Sequence, residues 1–172
     1  MNSSFLELAR RRVSVRRFRP DPVPDGLLDQ VLEAARLAPS AKNLQPWHFI
    51  VVRDPARRAA LGRAYPMEWF TQAPVIIAVC VEPAKAWRRR QDGYCSAEVD
   101  GAIAMDHLIL CAADLGLGAC WIGAFDPQPA REALGLPLGI ELLALTPLGF
   151  PDDAGRPKIR KELRDIRHDE HW

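Results

Sequence analysis

Between Ala97 and Leu115 the chain carries a helical segment that is apolar around most of its circumference. Ala102, Ile103, Met105, Leu108, Ile109, Leu110, Cys111 and Ala112 leave it almost no polar face. A helix of this kind has to be buried on more than one side. In a chain of 172 residues the second side comes from one of two sources. Either this helix is the centre of the protomer's own core, or a partner subunit covers it. Gly116 and Gly118 follow it and read as a helix C-cap.

The remaining elements have to be layered around that helix. Pro74-Val-Ile-Ile-Ala-Val-Cys-Val81 is a continuous apolar run, the pattern of a strand covered on both faces. Phe49–Val52, Ala119–Ala124 and Ile140–Leu148 read as further strands. Phe5, Leu6, Leu8 and Ala9 fit a short amphipathic helix, and Pro20, Pro22 and Pro24 then break the chain. Leu27, Leu28, Val31, Leu32, Ala35 and Ala38 recur at helical spacing, with Asp25 at the start and Pro39 as the stop. Pro55–Ala64 and Pro127–Leu134 read as helices, and residues 82–93 as an exposed connection that includes the solvated run Arg88-Arg-Arg90. Helices and strands interleave irregularly, which predicts an α+β layer fold in a single domain over residues 1–172. A charged tail follows Pro151, and a bulky aromatic such as Trp172 at its end is expected to pack on something.

Charge and cysteine usage exclude several classes of function. The formal net charge is +1, without the basic excess of a general nucleic-acid binder. Four cysteines, at 80, 95, 111 and 120, form no Cys-x-x-Cys pair or regular framework, which fits a reduced, cytoplasmic setting. No metal-ligand spacing is present, and no apolar run is long enough to span a bilayer. Gly116-Leu-Gly118-Ala-Cys-Trp121 begins like a dinucleotide fingerprint, but Trp121 stands at the third glycine position. It also leads from a helix into a strand, the reverse of the order that fingerprint needs.

The local concentrations of positive charge are more informative. If Arg12-Val13-Ser14-Val15-Arg16 runs extended, residues 12, 14 and 16 share one side at about 6.6 Å per pair. That edge presents guanidinium, hydroxyl, guanidinium. Lys158-Ile-Arg160 repeats the arrangement with two cations. A phosphate monoester accepts several charge-assisted hydrogen bonds, and arginine is the preferred donor. A solvated basic surface would look the same on charge alone. Arg17 and Arg19 alternate to the other side and read as solvated.

Five segments, in order along the chain, resemble the FMN-dependent nitroreductase family: Arg12-Val-Ser-Val-Arg16-Arg-Phe18, Ala38-Pro-Ser-Ala-Lys-Asn43-Leu-Gln45-Pro-Trp47, Gly116–Gly123, Pro147–Pro151 and Lys158-Ile-Arg160-Lys-Glu-Leu163. The resemblance implies a mainly antiparallel central sheet flanked by helices, assembled as an intertwined homodimer. It implies two FMN per dimer, with NAD(P)H as co-substrate. Arg12, Val13 and Ser14 would then contact the phosphate and ribityl chain, and Lys158 and Arg160 would close the phosphate clamp. Arg16 would face the N1/O2 edge of the flavin, where negative charge accumulates on reduction. Pro39, Ser40, Ala41 and Asn43 would reach the flavin held mainly by the other subunit, while Trp47 belongs to the core. Trp121, Ile122 and Gly123 would pass its N5 side, with the Gly123 amide as donor.

The activity so implied is hydride transfer from NAD(P)H to flavin N5, followed by reduction of a small acceptor such as a nitroaromatic or quinone, in ping-pong fashion. No side-chain acid, base or nucleophile is required, because the cofactor carries the chemistry. The tail from about residue 152 to 172 would pack on the partner subunit. Two departures from the family pattern stand out: little of the helical excursion that shapes the substrate channel, and no counterpart near Gly62–Met67 of the asparagine at the flavin's pyrimidine edge. A flavin store or sensor without turnover, and a flavin-fragmenting or reductively dehalogenating enzyme, are the alternative readings.

Overall fold

A computed structural model describes residues 4–172. Its centre is an antiparallel sheet in the order β1-β2-β4-β3, built from β1 (Trp47–Val52), β2 (Val75–Val81), β3 (Gly118–Ala119) and β4 (Glu141–Gly149). Six helices flank it: α1 (Phe5–Arg11), α2 (Asp25–Arg36), α3 (Pro55–Leu61), α4 (Glu68–Gln72), α5 (Ala97–Asp114) and α6 (Pro127–Leu134). Short 3₁₀ turns lie at Ala41–Asn43 and Leu163–Asp165. This is the α+β architecture that the irregular interleaving of elements predicts.

β2 organises the interior. It pairs with β1 from Trp47↔Val81 to Val52↔Ile76, and with β4 on its other edge. All seven of its residues are buried. Because side chains alternate across a strand, Val75, Ile77 and Val79 enter one core with Val31, Met105, Leu108 and Ala112 of α2 and α5. Ile76, Ala78 and Cys80 enter a second core with Leu61, Phe70 and Leu134 of α3, α4 and α6. The continuous apolar run is thus explained by helices on both faces of the sheet.

α5 lies on the first face, where Ala104, Met105, Leu108 and Ala112 are fully buried. Around the helix, Val99, Ile103, Asp106, Leu110 and Ala113 form a stripe that the protomer leaves partly or wholly uncovered, Val99 being 49% exposed. At its end the Leu117 amide donates to Ala112 O (2.8 Å) and Gly116 N–H to Ala113 O (3.3 Å), the paired bonds of a Schellman cap. Gly116, at positive φ, therefore caps the helix as its position predicts, whereas Gly118 belongs to β3 instead.

Three elements differ from expectation. The strand expected over Ala119–Ala124 is confined to Gly118–Ala119, with one further pair, Ile122↔Leu145, in the same register. Ile122 and Leu145 exchange both backbone bonds (2.9 and 3.0 Å). Hydrogen-bonded pairs recur every second residue, so the intervening one would join Cys120 to Pro147, which has no N–H to give. The ladder breaks there. α3 ends at Leu61 rather than Ala64, as successive three-residue turns unwind it through Gly62, Arg63 and Ala64. Finally α4, absent from the sequence reading, is anchored by the fully buried Phe70 and capped by the Arg58 guanidinium, which donates to Thr71 O (2.8 Å) and Ala73 O.

The arginine-rich segment runs beside β3 and the chain leaving β4. Val15 N–H donates to Ala119 O (3.0 Å), Arg19 N–H to Phe150 O (2.9 Å) and Asp152 N–H to Arg17 O (2.9 Å). Val15 is buried and rests against Gly118, where an added Cβ would lie 2.8 Å from both Val15 methyl carbons. Gly118→Ala is expected to lower the unfolding free energy by about 1–3 kcal/mol through overpacking, measured by urea denaturation. An unchanged midpoint would show that the 12–16 segment is free to move aside.

Candidate functional site

With Val15 turned into the core, its neighbours are turned out of it. Ser14 and Arg16 border a depression of about 210 Å³ with Val13, Arg156, Pro157, Lys158 and Arg160. Cys120, buried beneath, has its thiol pushed up by burial, against the opposing pull of Arg16, the Ser14 hydroxyl and Arg12, with Asp153 pushing up as well. Ser14 and Arg16 therefore share this depression, whereas Arg12 lines a neighbouring one with Val13 and Val15 and bears on the first through its charge on Lys158.

The C-terminal partners reach the same place from a tight loop after β4. The Asp153 carboxylate accepts from Arg16 N–H (3.3 Å) and Gly155 N–H (3.0 Å), which ties loop to strand. Gly155 has φ +68°, and a Cβ there would lie 2.5 Å from Val13 Cγ2. Only glycine meets both conditions. Lys158 Nζ donates to Ala9 O near the end of α1. Its pKa is lowered by burial and then by the like charges of Arg12 and Arg160. Arg160 donates to Ile159 O (2.7 Å).

Ion pairing separates these cations from their neighbours. Arg11 pairs with Asp114 (3.1 Å), Arg17 with Asp152 (3.2 Å) and Arg19 with Asp21 (3.3 Å). Arg17 and Arg19 are thus exposed but paired, Arg19 also lying over the Phe150 ring. Arg12, Arg16, Arg156, Lys158 and Arg160 have no carboxylate partner among the described residues. Crowded cations of this kind are stabilised by an anion that brings charge and acceptor oxygens together.

The Pro39–Asn43 segment sits elsewhere. Lys42, Asn43 and Gln45 all hold positive φ (52°, 56° and 50°), rare for non-glycine residues. Ser40 Oγ accepts from Gln45 N–H (2.9 Å), and the Gln45 amide donates to Asn43 O and Oδ1 (3.1 and 3.2 Å). The loop is pinned to the start of α5, where the buried Asp100 carboxylate accepts from Ala41 N–H (2.9 Å) and Ser96 Oγ (2.7 Å). Pro39, Lys42 and Asn43 are exposed, Ser40 and Ala41 half-buried. Trp47, expected in the core, is 8% exposed.

The two groups lie at opposite ends of α5. The loop is fixed at Asp100 and the 12–16 strand near Asp114, fourteen positions or roughly 20 Å apart along a helix. Within one protomer the structure does not bring them together. Trp121, Ile122 and Gly123 lie beside the break in the β3 ladder. Ile122 is buried, Trp121 is 38% exposed, and Gly123 is exposed with an N–H that meets no acceptor among the described residues.

Sequence reasoning missed three contributors. Arg156 was outside any alternating motif, and only the turn at Gly155 brings it to the depression. Asp153 and Asp100 act through backbone amides, which leave no mark on residue spacing. Gly155, two positions after an aspartate, was the available signal for the turn.

Residues 9–65 and 61–150 match the model of the nitroreductase family. An NADH dehydrogenase of Thermus thermophilus is 36% identical over 192 aligned positions, covering 92% of each chain. A nitroreductase family protein of Clostridium difficile superposes with a TM-score of 0.91 at 31% identity, over 99% of this chain and 100% of that one. A Desulfovibrio desulfuricans protein solved in complex with FMN superposes with a TM-score of 0.83 at 26% identity, over 100% of this chain and 99% of that one. The chain belongs to the nitroreductase family, and its fold is the nitroreductase fold.

The pinning of the loop can be tested directly. Asp100→Ala leaves the Ala41 amide and the Ser96 hydroxyl without their acceptor, at an expected cost of about 1–3 kcal/mol. Hydrogen exchange at Ala41 should accelerate more than at core amides of β2; equal acceleration at both would mean that Asp100 supports the whole fold and not the loop.

Proposed function

We propose that the chain is an FMN-dependent oxidoreductase that takes reducing equivalents from NAD(P)H and delivers them to a small acceptor such as a nitroaromatic or a quinone. The observation that carries this reading is the set of unpaired cations facing one depression while the arginines beside them are paired. That donor set fits the phosphate of FMN. A monoester carries close to two negative charges and three acceptor oxygens, and the like-charge pressure that lowers the Lys158 pKa is relieved by such a group. Family membership and the FMN complex of a related protein support the same ligand.

Each residue has a definable task. Arg12, Lys158 and Arg160 hold the phosphate by charge-assisted hydrogen bonds, with Val13 and Ser14 alongside. Arg16 supplies a fixed positive charge to the pyrimidine edge of the ring. The unpartnered Gly123 N–H offers a donor at the other edge, beside Trp121 and Ile122, whose backbone bonds to Leu145 keep it in place. Bound there, FMN supplies the electron-transfer chemistry, and the protein supplies position and electrostatic field. Reduced nicotinamide and acceptor occupy the same open face in turn.

The site is completed by a second copy of the chain. Pro39, Ser40, Ala41 and Asn43 are too far along α5 to reach a ligand in their own protomer's cradle. Packing two protomers along α5 brings the loop of one to the cradle of the other and covers the Val99–Ala113 stripe. The tail from 152 onward has the same destination. Ile159 (85%), Leu163 (68%), Ile166 (57%) and Trp172 (98%) are exposed, with Trp172 stacked on the His168 ring at 4.3 Å. Apolar side chains so placed on an extended segment are suited to a partner surface.

Purified protein is expected to be yellow and dimeric, bleached by NADH or NADPH in the absence of oxygen. Arg12→Ala combined with Arg160→Ala should weaken FMN binding by at least a hundredfold with the circular-dichroism spectrum retained. Undiminished flavin retention would remove the clamp. A stable monomer in sedimentation that still holds FMN would remove the shared site. Yellow protein that neither nicotinamide bleaches would favour a flavin store over an enzyme.

A further inference from the structure

The four cations that line the depression, Arg16, Arg156, Lys158 and Arg160, are not equivalent, and Arg12 acts on them from beside it. Lys158 feels Arg12 and Arg160, and those three form one group. Arg156 shares both depressions on this side of the chain with Arg16. It lines the 210 Å³ depression together with Lys158 and Arg160, and a neighbouring one of about 250 Å³ together with Ser14, Asp153 and Gly155. Its backbone is set by the preceding residue, since Gly155 is locked by its positive φ and its contact with Val13. The nearby carboxylate, Asp153, is already engaged by the amides of Arg16 and Gly155. Arg156 thus leaves a constrained backbone at the rim as an exposed side chain, without an ion pair or hydrogen bond among the described residues.

We propose that Arg156 is a further member of the phosphate clamp, closing it from the loop side, and that it makes the site select a phosphorylated flavin over an unphosphorylated one. The inference rests on the FMN reading above. A phosphate monoester held from one side by Arg12, Lys158 and Arg160 still presents an oxygen toward the Ser14 side, where Arg156 leaves the loop. A guanidinium can bond two acceptors in a fixed fork, so it adds direction as well as charge. Riboflavin shares the ring and ribityl chain and lacks only the charged group. A residue acting on that group changes the affinity for FMN and leaves riboflavin alone, whereas one that merely supports the loop changes both.

The test is titration of flavin-free protein with FMN and with riboflavin, followed by quenching of flavin fluorescence. Arg156→Ala should weaken FMN about tenfold, equivalent to about 1.4 kcal/mol, with riboflavin affinity changed by less than about twofold. Arg156→Lys, which keeps the charge and loses the fork, should fall between. Inorganic phosphate should raise the melting temperature of the flavin-free wild type more than that of Arg156→Ala. Equal weakening of both flavins, or no weakening of either while Arg160→Ala still impairs FMN, overturns the role of Arg156 and leaves the clamp standing. Wild-type protein that binds the two flavins equally well would sink the clamp reading and this inference together.

Discussion

Like charges held close together without a counter-charge are costly, and the protein maintains that arrangement by anchoring each backbone involved. Val15 is buried against Gly118 and donates to Ala119 O, so the strand carrying Arg12, Ser14 and Arg16 cannot swing away. Asp153 stitches that strand to the loop carrying Arg156, and Lys158 is tied to the Ala9 carbonyl. In the proposed function, an anionic group would relieve this electrostatic repulsion. The stability that offsets it comes from elsewhere, chiefly the two cores on either face of β2.

The same economy governs the sheet. One strand with apolar residues at every position requires helices on both sides, and the two alternating residue sets divide the protomer into two cores. α5, lying on one of these faces, acts as a ruler. It keeps the strained loop and the cationic cradle at its two ends, and nothing in a single protomer bridges that distance. The proposed completion by a second copy rests on this separation and on the partly uncovered stripe of α5.

Much of the fold was legible from residue pattern. The buried strand, the mostly apolar helix, its glycine cap and the helices at 25–36 and 127–134 all follow from periodicity and breakers. What was not legible has identifiable causes. The strand after Gly118 is cut short by Pro147, a residue distant in sequence whose missing N–H matters only once register is known. α4 is too short to show a period and depends on Phe70 and on Arg58 capping from another helix. At the site, alternation placed Ser14 and Arg16 at one depression, while Arg12, at the end of α1, lines another. The placement of Arg156 at the depression, and the separation of the Pro39–Asn43 loop from it, depend on a turn and on a helix length instead.

The left-handed conformations at Lys42, Asn43 and Gln45 carry one further consequence. A loop that would ordinarily sample many shapes is confined by Ser40, Asn43 and Asp100 to a shape its own residues disfavour. The entropy of ordering is therefore surrendered during folding, before any ligand arrives. If this edge docks against a flat ring as proposed, little further freedom is lost, and even a few weak contacts would register as affinity.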